Sequence, residues 1–195
     1  MQKEELAPGI MIFDNIFMDS FDYIKKIEDE KIEWNKAKVI SYNSSNNNKG
    51  HLNSNTRDTD IIMLPHHLRM SNEKNKTLSD FVTMFHESIR CPFDYYSNHY
   101  GSFANTFYSP QLLRYGKGQR FQNHVDDHGD AVRRVSLTYY LNDEYEGGDV
   151  EFDKFNLKIK ARKNQLLLFP SNFMYSHEVY PVTEGLRYTV VQWIT

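Results

Sequence analysis

The feature that most constrains this chain is a run of short, strand-like segments from about Ser109 to the end. Segments rich in leucine, valine and tyrosine alternate with turn formers such as Gly116, Gly147-Gly148 and Glu184-Gly185. The predicted strands cover residues 112–115, 135–141, 150–152, 157–159, 165–169, 178–180 and 186–194. Because no helical segment lies between them, they indicate an antiparallel β-sandwich or barrel.

The first 108 residues predict a supporting region of mixed structure. Ser20 is suited to cap a helix in which Ile24 and Ile27 recur at helical spacing. A second amphipathic helix is predicted over Thr77–Arg90, and Gly9–Phe13 has the apolar character of a strand. We therefore expect helices that pack against one sheet of a β core.

No repeat or linker divides the chain. We expect a single domain over residues 1–195, with 1–108 as the support region and 109–195 as the β core. Residues 43–57 are rich in Asn and Ser, have no period and predict a loop. That loop is either a lid over a site or a slack surface loop, and the second interpretation is slightly favoured.

Composition narrows the class of protein. Hydrophobic residues make up 39% and charged residues 25% of the chain, as in a globular protein. The net charge of -3 gives no overall field that attracts nucleic acid or anionic lipid. One cysteine, Cys91, rules out an internal disulfide, and no apolar stretch approaches membrane-spanning length. With no signal-peptide pattern at Met1, the expected location is the cytoplasm.

The segment from Tyr115 to Asp126 carries a candidate metal site. In a strand, residues two apart point to the same face, so His124 and Asp126 can present an imidazole and a carboxylate to one ion. His177 follows a predicted strand and a turn, and it is the best candidate for a third ligand. Two histidines and one carboxylate leave three positions of an octahedral ion open, as in non-haem iron(II) oxygenases.

Other metal sites are less consistent with these residues. A structural zinc site normally needs four protein ligands and several cysteines, and only Cys91 is present. His124 and His128 have helical spacing, but Gly129 and the strand-like flanks argue against a helix there. The remaining histidines are scattered without pattern and are interpreted as surface or core residues.

Several spaced motifs resemble the prolyl 4-hydroxylase-like branch of the iron(II)/2-oxoglutarate oxygenases. The resemblance is specific over residues 110–195 and loose over the first part of the chain. The motifs are Tyr115-x-x-Gly118-x-x-Phe121-x-x-His124-x-Asp126, Tyr139-Tyr140-Leu141-Asn142, Gly147-Gly148, His177-Glu-Val-x-Pro181-Val-Thr-x-Gly185-x-Arg187, and Trp193. The resemblance implies a double-stranded β-helix, or jelly-roll, core.

The resemblance also implies residue roles. His124, Asp126 and His177 would ligate Fe(II), and the Arg187 guanidinium would bind the distal carboxylate of 2-oxoglutarate through two parallel hydrogen bonds. Tyr115 and Tyr140 would hydrogen-bond the same co-substrate, with Tyr139 as the alternative if the strand register differs by one. Arg133 and Trp193 would lie where relatives hold a peptide, although packing or a surface ion pair would explain them equally well.

The implied reaction is a hydroxylation that uses Fe(II), 2-oxoglutarate and dioxygen, with ascorbate as an optional reductant. A proline in a peptide or protein is the favoured target, ahead of other amino acids. Oxidative demethylation of nucleic acid is less consistent, because that branch carries a second arginine where this chain has Trp193. A zinc hydrolase with the same ligands and a non-catalytic metal-binding module remain alternatives.

Overall fold

The structure is a computed structural model that describes residues 1–16, 20–39, 52–65, 76–102, 104–127 and 132–195. Most of the predicted polar loop 43–57 lies outside the described residues. The structure therefore does not test whether this loop is a lid. His128, the second member of the alternative His124/His128 pair, and the neighbouring Gly129 also lie outside them.

The described residues form 15 β-strands and two α-helices. The helices are α1 (Ser20–Asp29) and α2 (Lys76–Tyr100). The strands are β1 (Lys3–Ala7), β2 (Ile10–Phe13), β3 (Asn35–Lys36), β4 (Arg57–Asp58), β5 (Asp60–Met63), β6 (Gln111–Tyr115), β7 (Arg120–His124), β8 (Val135–Tyr140), β9 (Tyr145–Gly147), β10 (Val150–Phe152), β11 (Leu157–Ile159), β12 (Leu166–Pro170), β13 (His177–Val179), β14 (Val182–Gly185) and β15 (Arg187–Ile194).

The strands make two main antiparallel sheets. The large sheet has eight strands in the order β1-β2-β12-β8-β15-β6-β5-β3, and the small sheet has five in the order β11-β10-β13-β7-β4. Strands β14 and β9 form a separate two-stranded pair. The expected fold class, mainly β with antiparallel sheets and supporting helices, is confirmed.

Strand β12 shows how the sequence fills two cores at once. Leu166 and Leu168 pack in the cluster that includes the buried faces of α1 and α2. Leu167 and Phe169 point the other way, into the cluster shared by the two sheets. Because successive residues of a strand alternate between faces, an uninterrupted apolar run is buried on both sides. The second cluster surrounds the candidate site.

Helix α2 is longer than its apolar spacing predicts. It continues beyond Arg90, through Pro92, to Tyr100. A proline inside a helix removes one backbone hydrogen bond, so the sequence favours an earlier end. Here Phe93 and Tyr96 extend the buried face past the proline, and their packing offsets that loss. No helix in the described part of the chain has the length and apolarity to span a membrane.

Two details of the first 108 residues differ from expectation. Ser20 is fully buried inside α1, where its hydroxyl lies 3.1 Å from the Tyr139 hydroxyl and 3.2 Å from Asn164 Oδ1, so its side chain links the helix to the sheet. Arg57, at the end of the predicted polar loop, belongs to β4 and pairs with β7 at Phe121. Tertiary pairing, which a local pattern does not encode, decides both.

Candidate metal centre and the pocket behind it

Strands β7 and β13 bring the two candidate histidines together. They pair antiparallel with His177 directly opposite His124, at the end of one strand and the start of the other. Directly opposed side chains of an antiparallel pair are neighbours on one face. The two imidazole ring centres accordingly lie 4.3 Å apart.

Asp126 completes the cluster from beyond the strand. Strand β7 ends at His124, so the expectation that His124 and Asp126 share one strand face is wrong in its premise. The chain bends after His124 and turns the carboxylate back. Its Oδ1 lies 3.6 Å from His124 Nε2, and its Oδ2 lies 3.9 Å from His177 Nε2. One ligand atom from each residue lies within 4.8 Å of the others, a spacing that fits a single metal ion.

Both imidazoles are held in the orientation that a metal needs. His124 Nδ1 lies 2.9 Å from the carbonyl oxygen of Gln122, and His177 Nδ1 lies 3.1 Å from that of Tyr175. A carbonyl only accepts hydrogen bonds, so each Nδ1 carries the proton. The Nε2 lone pairs then face Asp126, as in metal sites whose histidines are oriented by outer hydrogen bonds.

The Asp126 carboxylate is fixed by buried donors. Its Oδ2 accepts a hydrogen bond of 2.6 Å from the Ser136 hydroxyl, which in turn lies 2.8 Å from the Ser171 hydroxyl. The Trp193 indole also hydrogen-bonds to this carboxylate. Arg133 donates to the backbone carbonyl of Asp126 at 3.0 Å. The carboxylate therefore has little freedom to rotate away from the two histidines.

Electrostatics keep His124 and Asp126 in the forms that bind a cation. Burial, reinforced by repulsion from His177, lowers the pKa of His124 to about 3, so its imidazole is neutral near pH 7. Burial alone would raise the pKa of Asp126. His177, His124 and the Ser136 and Trp193 hydrogen bonds outweigh that effect and hold the pKa below its usual value of 3.8. Neutral imidazoles and an ionised carboxylate are the ligand forms that a divalent metal requires.

Arg187 lies deeper in the same cavity and is only 1% exposed. Its guanidinium carbon lies 5.0 Å from the centre of the Tyr115 ring and 5.3 Å from that of Tyr140. Its side chain interacts with the hydroxyls of Tyr140 and Tyr145, while its Nε has no hydrogen-bond partner among the described residues. Within the same residues, the arginine ion pairs belong to Arg114 and Arg162. A buried cation without a carboxylate is costly, so this pocket is suited to an anionic ligand.

The sheet register separates Tyr140 from the alternative Tyr139. Tyr140 packs with Tyr115 in the cluster between the sheets. Tyr139 points to the opposite face, where its hydroxyl donates to Asn164 Oδ1 at 3.0 Å and lies 3.1 Å from the Ser20 hydroxyl. Of the two tyrosines, Tyr140 therefore stands beside Arg187.

Apolar side chains line the cavity between Arg187 and the candidate metal ligands. Leu113, Val150, Phe169 and Val191 contribute to its walls. The buried Thr189 hydroxyl also lines it and has no hydrogen-bond partner among the described residues. A cavity with apolar walls and a few unpaired polar groups is typical of a small-molecule site.

Two contributors were not foreseen from the sequence. Gly148, interpreted only as a turn residue, has φ +66° and lies so close to Arg187 that an added Cβ would meet its Cδ at 2.8 Å. Arg57 lines the cavity with its guanidinium 4.9 Å from the centre of the Phe121 ring. The Gly147-Gly148 motif could have indicated the role of Gly148. The polar sequence before Arg57 predicted a loop, so the position of Arg57 in the cavity was not expected.

The remaining expectations concern Arg133, Trp193 and the other histidines. The Arg133 guanidinium stacks 3.8 Å from the centre of the Trp193 ring, and both residues line a cleft beside His124 and Asp126. His86 lies 2.9 Å from Gln192, and His99 stacks on Tyr95. Within the described residues, His124, Asp126 and His177 are the one group of three or more potential ligands that could hold a metal.

Sequence comparisons identify the β core. Residues 110–195 match the profile of the 2OG-Fe(II) oxygenase superfamily. A PKHD-type hydroxylase of Rhizorhabdus wittichii is 33% identical over 102 residues, or 45% of this chain and 43% of that protein. One of Synechococcus sp. is 36% identical over 80 residues, or 38% of this chain and 36% of that protein. Each match spans less than half of the relative's length.

Solved structures extend the likeness to nearly the whole chain. A Trichoplax adhaerens prolyl hydroxylase, in complex with a peptide fragment of the hypoxia inducible factor oxygen degradation domain, has a TM-score of 0.74 and 17% identity, covering 95% of this chain and 83% of that one. A Pseudomonas putida prolyl-4-hydroxylase has a TM-score of 0.65 and 16% identity, covering 95% and 91%. At these identities the likeness establishes the jelly-roll fold. Residues 110–195 are therefore similar to the 2OG-Fe(II) oxygenase superfamily, and the predicted resemblance to its prolyl hydroxylase-like branch is confirmed.

Proposed function

We propose that this protein is an Fe(II)- and 2-oxoglutarate-dependent dioxygenase that hydroxylates a proline in a peptide or protein. The observation that carries the proposal is the buried Arg187 guanidinium, without a carboxylate partner among the described residues, in the same cavity as His124, Asp126 and His177. A metal site alone would not need a buried cation behind it. An anionic co-substrate that spans the cavity explains both features.

The donor set fits Fe(II). Two neutral imidazole nitrogens and one ionised carboxylate form the set in which non-haem iron oxygenases leave three positions open. The outer hydrogen bonds from Gln122, Tyr175 and Ser136 fix the orientation of all three side chains. We assign His124, Asp126 and His177 as the iron ligands.

The polar groups of the inner pocket have the chemistry to bind 2-oxoglutarate. A guanidinium with an unpaired Nε matches a carboxylate, and the Tyr140 hydroxyl beside it can donate to the same ligand. Burial raises the pKa of Tyr140, so its hydroxyl keeps its proton at neutral pH. We assign Arg187, Tyr115 and Tyr140 to the distal end of the co-substrate.

In this mechanism the protein positions the reactants and excludes water. Arg187 binds and orients the co-substrate, while Leu113, Val150 and Phe169 keep the space in front of it apolar. Ser136 and Trp193 hold the Asp126 carboxylate in place. The iron and 2-oxoglutarate, when bound, supply the oxidising chemistry, in which dioxygen is consumed, succinate and carbon dioxide are released and one oxygen atom is added to the substrate.

A peptide substrate is supported by the open side of the site. Arg133 and Trp193 line the cleft outside His124 and Asp126, and we assign them to the substrate side. The Trichoplax adhaerens enzyme, which shares this fold, was solved with a peptide bound. We further propose that residues 1–195 act as one catalytic domain, because helices and strands of the first 108 residues pack on the jelly-roll core.

Anaerobic titration with Fe(II) and 2-oxoglutarate tests the cofactor assignment. The wild type should develop a weak visible charge-transfer band, which His177→Ala should abolish. His99→Gln, a change at a surface histidine on α2, should leave the band unchanged. A wild-type protein that binds Fe(II) without developing the band would contradict the proposal.

Turnover tests the reaction. Succinate release should require dioxygen and a proline-containing peptide, and mass spectrometry should find one added oxygen on proline. Hydrolytic activity without 2-oxoglutarate would instead indicate a zinc hydrolase. Turnover coupled to a methylated oligonucleotide, and not to peptides, would indicate the nucleic-acid branch.

A further inference from the structure

A cleft of about 280 Å³, here called the mouth groove, opens directly outside the candidate metal ligands His124 and Asp126. Three cationic residues contribute to its lining, together with two large aromatic side chains. They are Lys38, Arg57 and Arg133, with Phe121 and Trp193. Any substrate that reaches the metal from this side meets these cations first.

Arg57 is held in place and makes no direct ion pair among the described residues, although the more distant Asp126 carboxylate favours its charge. Its guanidinium lies over the Phe121 ring and makes two long hydrogen bonds of 3.4 Å, to the Lys38 carbonyl and to Gln111 Oε1. Its buried Nε has no hydrogen-bond partner among the described residues. A planar guanidinium fixed on an aromatic ring with donors to spare is pre-organised to bind an oxyanion.

Arg133 repeats this arrangement on the other wall. Its guanidinium stacks on Trp193, and its buried Nε likewise has no partner within the described part of the chain. Asp127 accepts a hydrogen bond of 3.1 Å from the Arg133 backbone N–H, not from the guanidinium. Arg57 and Arg133 are close enough to repel each other, and a bound anion would relieve that repulsion.

Asp126 and Asp127 offset only part of the charge of these cations. Among the described residues that line the mouth groove, the one acidic side chain is Asp126, which is buried and already held by Ser136 and Trp193. The chain as a whole carries a net charge of -3, so the groove is a local positive patch on an acidic protein. Such a charge pattern selects a ligand of opposite sign.

We propose that the peptide substrate carries an acidic side chain close to the hydroxylated residue, and that Arg57 and Arg133 bind its carboxylate. This inference rests on the proposed function and names the substrate class for the same site. Nucleic acid fits less well, because its affinity comes from many phosphate contacts along an extended basic surface. Here the cations are confined to one small groove.

Peptide binding to the protein loaded with Fe(II) and 2-oxoglutarate under anaerobic conditions tests the proposal without turnover. A fluorescent proline peptide with Asp and Glu on both sides and blocked ends is compared with the same peptide carrying Asn and Gln. The acidic peptide should bind about 10- to 100-fold more tightly, the range expected for hydrogen bonds to a charged group. The difference should shrink as salt is added. Equal binding of the two peptides would overturn the proposal.

Two further ligands test whether the bound anion is an acidic side chain, a peptide C-terminus or a nucleic acid. A neutral peptide with a free C-terminal carboxylate should bind no better than the blocked neutral peptide. If it matches the acidic peptide, terminal recognition replaces the side-chain recognition proposed here. A single-stranded oligonucleotide that binds more tightly than the acidic peptide would also overturn the proposal.

Variants assign the preference to the groove. Arg57→Gln and Arg133→Gln should each remove most of the preference for the acidic peptide. Arg162→Gln, at an arginine on the surface beside Asp14, should retain it. Arg57→Glu should reverse the preference in favour of a lysine-containing peptide. If Arg57→Gln and Arg133→Gln fold but keep the full preference, the assignment is wrong.

The experiments distinguish an error in the proposed acidic-peptide preference from an error in the proposed function. The charge-transfer band reports Fe(II) and 2-oxoglutarate at the site whether or not a peptide is bound. A protein that shows the band and hydroxylates neutral peptides as well as acidic ones retains its proposed function and loses this inference. A protein without the band loses both.

Discussion

At the scale of single residues, the site is defined by buried charge without an ion-pair partner in the part of the chain that the structure describes. Arg187 is the clearest example, since it is buried beside Tyr115 and Tyr140 with an unpaired Nε. A folded protein tolerates such a group when a ligand compensates it. The residue is therefore expected to serve binding at the expense of stability.

Replacing Arg187 with Met should separate these two effects. We expect the affinity for 2-oxoglutarate to fall by about 2–5 kcal/mol, because a buried charged contact is lost. We expect the free energy of unfolding of the ligand-free protein to stay the same or rise, because an uncompensated buried charge is removed. Calorimetric titration and urea denaturation measure the two quantities. A large loss of stability with unchanged affinity would show that Arg187 is a structural residue.

At the scale of secondary-structure elements, turns and strand ends place the functional groups. The turn at Gly147-Gly148 brings backbone against the Arg187 side chain, and both residues have positive φ. Strands β5 and β6 of the large sheet are tied to α1 by a charged network in which Arg114 bonds Glu28 at 2.9 Å and Asp60 at 3.2 Å. The glycine turn and the charged network predict the effects of Gly148→Ala and Asp60→Asn, respectively.

Gly148→Ala should damage the Arg187 pocket. The new Cβ would lie 2.8 Å from Arg187 Cδ and 3.1 Å from Val182 Cγ2, and the backbone has φ +66°. We expect a loss of stability above the roughly 1 kcal/mol of backbone strain alone, together with weaker binding of 2-oxoglutarate. Gly118→Ala is the matched control, because Gly118 has φ +83° and nothing within 4 Å of the new Cβ. Equal behaviour of the two variants in denaturation and binding would contradict this account.

Asp60→Asn should reduce stability near neutral pH and flatten its dependence on acid. Burial opposes ionisation of Asp60, but Lys36 and Arg114 prevail and hold its pKa below the usual 3.8. As the pH falls, the unfolded chain takes up this proton first, so the stabilisation present above about pH 4 is lost below it. We expect a cost of about 1–2 kcal/mol at pH 7.

Urea denaturation at several pH values measures the effect of Asp60→Asn. Asp22→Asn is the control, because its ion pair with Lys25 on α1 is exposed, with 66% and 64% of the two side chains accessible. Exposed pairs of this kind contribute little. If Asp60→Asn keeps the full acid dependence of the wild type, other carboxylates cause it.

At the scale of the whole molecule, the two regions predicted from the sequence depend on each other. Strand β2 from the first region pairs with β12, and β5 pairs with β6. Helix α2 covers the outer face of the large sheet, where Leu137, Leu166 and Leu168 are buried. The β core thus lacks a closed hydrophobic surface of its own.

A fragment of residues 109–195 should therefore fail to fold, although it contains all the assigned ligands. It would expose the apolar outer face of the sheet and leave strand edges unpaired, which favours aggregation. Near-UV circular dichroism and gel filtration should find no native fragment, whereas the full chain should unfold in a single transition. A soluble fragment that binds Fe(II) would contradict this prediction.

The sequence alone predicted the class of fold, most strands after Ser109 and the candidate metal ligands, because alternation of apolar residues and spaced motifs are local properties. It did not predict the short strands β9 and β14. It predicted α2 only to Arg90 and assigned Arg57 to a loop, since packing beyond Pro92 and pairing with β7 are long-range effects. Tertiary structure alone decided that Tyr140, not Tyr139, faces Arg187, and that Asp126 reaches the histidines from beyond its strand. The physical reason is that a linear pattern specifies which residues alternate. Only the register of distant strands decides which faces meet and which charges are left for a ligand.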